Sequence, residues 1–175
     1  STMVQVGIGG SDLGPRALYL ALQRYCRPGR SARFIANVDP DDVAAVLREL
    51  DLSRCLFNVV SKSGTTLETL TNEQLVREAL LQAGLNPAHH MVAVTGEGSP
   101  MDDATKYLAS FHMYDYIGGR YSATSMVGLV TLGFALGVEA VRALLEGAHA
   151  VDLAAEERDI RRNIPLLLAL LLLSA

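Results

Sequence analysis

Six consecutive residues carry the densest polar chemistry in the chain: Ser61, Lys62, Ser63, Gly64, Thr65 and Thr66. An apolar run, Leu56 to Val60 with Asn58 inside it, leads into them, and a helical pattern follows. A strand that turns tightly into a helix presents unpaired backbone N–H groups and the positive end of a helix dipole. Both favour an anion. Hydroxyls add rotatable donors, and Gly64 permits positive φ and a close backbone approach. The expected ligand group is a phosphate monoester. An ordinary N-cap is the plainer reading, but it uses one hydroxyl, and Ser61, Ser63, Thr65 and Thr66 offer four. The spacing is not that of a nucleotide P-loop, which needs two glycines ahead of Lys-Ser/Thr. Lys62 is read as acting through its backbone N–H, with its ammonium towards solvent. Glu68 and Glu73 read as solvated residues that suit the helix dipole.

Two more loops carry candidate chemistry. In Gly7-Ile8-Gly9-Gly10-Ser11, a dinucleotide fingerprint counted from Gly9 would put its last small residue at position 12. Asp12 stands there and would face a pyrophosphate. Asp39 is placed as a ribose-binding acid, so the dinucleotide alternative stays open. The preferred reading is that Gly10 lets backbone approach a sugar phosphate while Ser11 donates a hydrogen bond; a glycine turn used only for packing is the other. Arg120 follows Gly118-Gly119 and precedes Tyr121-Ser122. Its permanently charged fork suits an oxyanion or phosphate, against a structural pairing with Asp115 or a carbonyl. His89, His90, His112, His149, Cys26 and Cys55 show no metal-ligand or redox spacing. Asp102-Asp103 reads as a helix N-cap pair.

The elements that must position these loops alternate. Strand patterns run over Val4–Ile8, Ala32–Val38, Cys55–Val60, Met91–Thr95 and Phe111–Tyr114, with helical patterns over Arg16–Tyr25, Asp41–Leu50, Thr65–Ala83 and Met101–Leu108. Beyond Ser122 the chain reads as helical, with a charged break from Glu156 to Arg162. Alternation with short connections predicts an α/β three-layer sandwich, a five-stranded parallel sheet flanked by helices and followed by C-terminal helices. Ligands of open parallel sheets bind beyond the carboxyl ends of the strands, so the three loops should converge. Residues 1–150 are read as one sugar-phosphate-binding domain and 151–175 as a helical extension.

Composition narrows the function class. The chain has 175 residues, is 50% hydrophobic and carries a net charge of -4. An acidic balance argues against a nucleic-acid partner. The apolar stretches Ala123–Val138 and Leu166–Ala175 are short for membrane spans; both read as buried helices, so no membrane partner is expected. The second is apolar nearly all round and needs protein on every side, which suggests a fragment or a docked end. Two cysteines without a signal-peptide pattern point to a reducing cytoplasm.

Taken together, Gly7–Pro15, Ser61–Thr69 and Gly118–Ser122 resemble, in this order, motifs of the glucose-6-phosphate isomerase family, and Arg162–Leu166 resembles that family's following helix. The resemblance covers nearly the whole chain. Ser63 stands where threonine is frequent, Gly64 replaces a bulkier residue, and Ala123-Thr124 stand where large residues are common. The resemblance implies a sugar-isomerase (SIS) domain, the first of two, and interconversion of glucose 6-phosphate and fructose 6-phosphate without metal or organic cofactor. It implies hydroxyl contacts to phosphate from Ser61, Ser63 and Thr66, with backbone N–H groups of Lys62 and Thr65. Gly10 and Ser11 would touch the sugar phosphate, and Arg120 would stabilise the cis-enediolate. It also implies a cytoplasmic homodimer for the full-length protein. The family's proton-shuttling glutamate, ring-opening histidine and C-terminal lysine lie in motifs that residues 1–175 do not contain. The chain is therefore expected to bind substrate without turning it over alone; a non-catalytic phosphosugar-sensing SIS module is the alternative.

Overall fold

Parallel strands covered on both faces need near-continuous apolar runs, and the sequence supplies five. The computed structural model describes residues 1–174. Its strands are β1 (Thr2–Val6), β2 (Ser31–Ile35), β3 (Cys55–Ser61), β4 (Met91–Thr95) and β5 (Ala109–His112). They form one sheet in the order β2-β1-β3-β4-β5, and every pairing is parallel. The helices are α1 (Gly10–Leu22), α2 (Pro40–Arg48), α3 (Leu67–Gln82), α4 (Met126–Leu136), α5 (Val138–Ala155) and α6 (Ile164–Leu173). The expected five-stranded parallel sheet flanked by helices is what the chain forms.

Side chains alternate across each strand, and the two faces have different characters. Val4, Val6, Phe57, Val59, Met91 and Ala93 form one apolar core with Val43 of α2 and Val76 and Leu80 of α3. On the opposite face Val60 and Val94 pack with Val127 of α4. That face also holds Gln5 and Asn58, neighbours in register and 1% and 0% exposed. Gln5 Nε2 donates to the carbonyls of Ser11 (2.6 Å) and Val127 (3.2 Å), tying the start of α1 to α4. Asn58 Nδ2 donates to Thr131 Oγ1 at 3.1 Å. Polar residues inside apolar strand runs mark where the sheet anchors its helices.

Two compact units are present, Ser1–Gly137 and a second from Val138 onward. The sequence-based boundary at 150/151 lies within α5. In the second unit, Asn163 donates to the carbonyls of Ala155 and Glu157 and caps α6 through Leu166 N–H. The protein on every side that Leu166–Ala175 is expected to need is not supplied by the described residues of this chain. Leu168, Leu171 and Leu173 are 56%, 59% and 85% exposed, because α5 is the sole helix of this unit beside α6. No helix among the described residues is long and apolar enough to cross a membrane.

Several boundaries shift for local reasons. Strand β2 stops at Ile35, and Val38 is exposed; an edge strand has one neighbour to hold it. Residues 101–108 form turns rather than a helix. Asp102 accepts from Gly98 N–H at 3.0 Å and Asp103 from Thr105 N–H at 2.9 Å. These local bonds compete with a helix, so the pair does not cap one. The fifth strand begins at Ala109, two residues ahead of its expected start.

Candidate functional site

The chain leaves β1 to reach β2 on one side, while β3 lies on the other. This is a switch point, and crevices open there beyond the carboxyl ends. A cleft of about 510 Å³ lies at this place, lined among others by Gly10, Ser11, Ser61, Lys62, Ser63 and Thr66. Gly119 lines it too, so parts of all three loops converge.

The hydroxyls are organised in pairs. Ser61, 3% exposed at the end of β3, shares a hydrogen bond with Thr66, Oγ to Oγ1 at 3.0 Å. Ser63 Oγ accepts from Thr65 N–H (3.2 Å) and Thr65 Oγ1 (2.9 Å). Thr66 occupies the N-cap position of α3, but its side chain caps no N–H there. Helix α1 starts at Gly10 behind Gly9 and also has no side-chain cap. By contrast Asp39, Ser125 and Asn163 cap α2, α4 and α6. Neither helix that begins at the cleft has a side-chain cap, and in α1 the Ser11 and Asp12 N–H groups bond the carbonyls of Ile8 and Gly9. Each helix contributes roughly half a positive charge there.

Glycines set the spacing. A Cβ on Gly10 would lie 2.6 Å from Gly119 Cα and closer still to its carbonyl. The backbone approach expected of Gly10 is therefore to the Arg120 loop. Ser122 Oγ donates to the Gly119 carbonyl at 2.7 Å, which closes this corner. Gly64 has φ 66°, and a Cβ there would meet Ser99 Oγ at 2.8 Å. Gly64 is buried behind the cleft and Thr65 is exposed; neither lines it.

Arg120 lies just outside. It lines an adjacent depression of about 320 Å³ with Gly9, Gly10, Leu13, Gly14 and Gly119. It is exposed and makes no hydrogen bond or ion pair among the described residues, so the structural pairing with Asp115 is not formed. The Lys62 ammonium does not run to solvent. It donates to the carbonyl of Asp115 and, at 3.2 Å, to that of Ile117.

The two acids weighed for a dinucleotide, Asp12 against it and Asp39 for it, are both engaged. Asp12 is 5% exposed and paired with Arg16 at 2.8 Å. Burial pushes its carboxyl above the ordinary value, and the Arg16 guanidinium pulls it part of the way back. Asp39 caps α2 by accepting from Asp41 N–H at 2.9 Å. Glu73 is also not solvated: it is 9% exposed and bound to Arg77 at 2.6 Å. Thr69 and Asp115 line the cleft without having been singled out. Thr69 falls one helical turn after Thr66, a spacing that could have revealed it; Asp115 has no local signal. No cluster of three or more His, Cys, Asp or Glu suited to a metal occurs among the described residues.

Comparison with known proteins identifies the family and supports the fold. The sequence profile of the phosphoglucose isomerase family matches residues 1–174. The glucose-6-phosphate isomerase of Desulfotalea psychrophila is 63% identical over 98% of this chain and 32% of its own length. That of Chlamydia trachomatis serovar L2 is 56% identical over 98% of this chain and 33% of its own length. The crystal structure of a glucose-6-phosphate isomerase from Chlamydia trachomatis D/UW-3/Cx superimposes with a TM-score of 0.92 at 56% identity, over 95% of this chain and 32% of that one. The chain thus spans about a third of the length of the curated relatives it matches. With the profile covering all the described residues, the chain belongs to the phosphoglucose isomerase family.

Proposed function

We propose that this chain is the phosphate-gripping portion of an aldose–ketose isomerase that interconverts glucose 6-phosphate and fructose 6-phosphate. The observation that carries the reading is the meeting of two uncapped helix starts, α1 and α3, at a hydroxyl-lined cleft. A phosphate dianion suits such a place. Ser61, Ser63 and Thr66 supply hydroxyl donors and Lys62 a backbone N–H group; the Thr65 N–H, bonded to Ser63 Oγ in this structure, would join them by giving up that bond. Gly64 holds the turn, and Gly10 and Ser11 meet the sugar phosphate from the opposite wall. Arg120, one loop away, stabilises charge on the cis-enediolate as a proton moves between C2 and C1. No metal or organic cofactor takes part.

A general base must come within hydrogen-bond reach of the proton it takes. Among its lining residues the cleft has one carboxyl, Asp115, and no imidazole. Our reading is that base and ring-opening acid come from other parts of a full-length, cytoplasmic, homodimeric protein. A non-catalytic phosphosugar sensor would share the cleft, but sensing has no need of an enediolate partner such as Arg120.

Calorimetric titration with fructose 6-phosphate, and separately with a nicotinamide dinucleotide, tests the ligand class; binding of the sugar phosphate alone is expected. An isomerisation assay on the same 175 residues tests the division of labour. Turnover comparable to that of a full-length relative would overturn it.

A further inference from the structure

We propose that Lys62 is a positioning residue whose ammonium clamps the Arg120 loop to the phosphate cradle; this rests on the sugar-phosphate reading of the cleft. Lys62 belongs to the cradle by its backbone. Its carbonyl accepts from Gly96 N–H at 3.0 Å, so its main chain is held from behind. Its side chain lines the cleft and ends on the carbonyls of Asp115 and Ile117, residues 53 and 55 positions further along the chain.

The held segment has little else to fix it. Met113 N–H reaches Thr95 O at 3.0 Å, and Ser122 Oγ reaches Gly119 O at 2.7 Å. Among the described residues, the hydrogen bonds that tie 114–118 to other elements all come from Lys62. Tyr114 and Tyr116 stack on each other and are 67% and 83% exposed, so they do not anchor the segment. Ile117 does, by packing against the Val60, Val94, Met113 and Val127 cluster. Gly118 and Gly119 follow at once and have no side chains to grip. Where Arg120 emerges is therefore set by four restraints: the Ile117 side chain, the Lys62 clamp, the Gly10–Gly119 backbone contact and, on the far side, the buried Ser122 hydroxyl on the carbonyls of Gly119 and Gly10.

An ammonium has three donors. Two are used on carbonyls, which leaves one for a ligand, and the charge stays at the cleft. The clamp differs in its consequences from a plain phosphate contact. A direct contact serves any phosphate. A clamp serves the sugar end, because the loop it holds carries Gly119 and Arg120.

The test compares wild type, Lys62→Met and Lys62→Arg. Hydrogen exchange of the Ile117 and Tyr121 amides, bonded to Tyr114 O and Gly118 O, reports the clamp without any ligand; the Gly64 amide, bonded to Ser61 O, reports the cradle. Lys62→Met is expected to speed exchange at Ile117 and Tyr121 and leave Gly64 unchanged. Lys62→Arg keeps charge and donors and should restore slow exchange. Unchanged exchange at Ile117 and Tyr121 in Lys62→Met, or Lys62→Arg exchanging as fast as Lys62→Met, overturns the proposal. Titrations with fructose 6-phosphate and with inorganic phosphate give the functional arm. Loss of charge-assisted bonds should weaken the sugar phosphate about tenfold or more, and inorganic phosphate much less. Equal losses for both would make Lys62 a phosphate ligand only. Should wild type bind no sugar phosphate, the functional reading falls, and the exchange data alone decide the clamp.

Discussion

Replacing Gly10 by alanine opposes two effects of known size. Gly10 is in the first turn of α1 with a helical backbone, and alanine in a helix is worth roughly 0.5–1 kcal/mol over glycine. Taken alone, the change should stabilise. The new methyl, however, would lie 2.6 Å from Gly119 Cα, against backbone rather than the end of a flexible side chain. Overpacking of that kind costs about 1–3 kcal/mol. The expected net is a loss of about 1–2 kcal/mol, which for a chain of this length lowers Tm by roughly 2–8 °C. The same displacement moves Gly119 and Arg120 away from the cleft, so affinity for fructose 6-phosphate should also fall. Gly118→Ala is the matched control: its φ is -80° and a Cβ there meets nothing within 4 Å. It should be neutral or slightly stabilising. Thermal melts and calorimetric titrations of both variants check the pair. A Gly10→Ala protein as stable as wild type, with unchanged affinity, would refute the Gly10–Gly119 contact and its role.

Three further outcomes are expected. Ser61→Ala with Thr66→Ala removes both partners of one hydrogen bond together, so no orphaned hydroxyl remains and stability should change little; affinity for fructose 6-phosphate should fall about tenfold or more, read by calorimetry. Arg120→Met breaks no ion pair among the described residues, so its Tm should stay near wild type; turnover of a full-length enzyme carrying it should drop by about 10²–10³. Asp102 is held below its ordinary carboxyl value of 3.8 by the Gly98 N–H first and then by His112. A depressed folded-state value means stability present above 3.8 and lost as pH falls through the lower folded value. Asp102→Asn should therefore flatten the acid limb of a pH-dependent denaturation curve below about pH 4 by lowering the neutral plateau, and only slightly, because the pair lies at the surface.

What the sequence made legible was what is local or periodic. Apolar runs marked all five strands, and their alternation with helices implied a parallel sheet and a crevice at its carboxyl ends. Glycines and hydroxyls marked the loops that meet there. Contacts between distant segments were not legible. Nothing near Lys62 announces carbonyls 53 and 55 residues away. Nothing near Gly10 separates a backbone that approaches a ligand from one that approaches Gly119. Glu73 sits on a helix of polar appearance; its i,i+4 spacing to Arg77 is readable, but only the fold brings Tyr107 beside the pair. For α6 the apolar composition was plain, but burial depends on what surrounds a helix, which its own residues do not encode.

The cap positions draw this limit most sharply. Asp39, Ser125 and Thr66 look alike on paper: a small oxygen-bearing side chain just ahead of a helical pattern. Two of them bond the N–H groups of their helices, and the third bonds Ser61 instead. Propensity cannot tell these cases apart, because all three side chains are good caps. What decides is the companion hydroxyl. Ser61, at the buried end of β3, competes for Thr66 Oγ1 and leaves the start of α3 without a side-chain cap. A hydroxyl five residues ahead of a cap candidate, at the end of an apolar strand, is therefore a sign that the candidate's side chain can be drawn away from its helix. The same comparison accounts for α1, where Gly9 stands at the cap position and has no side chain to offer.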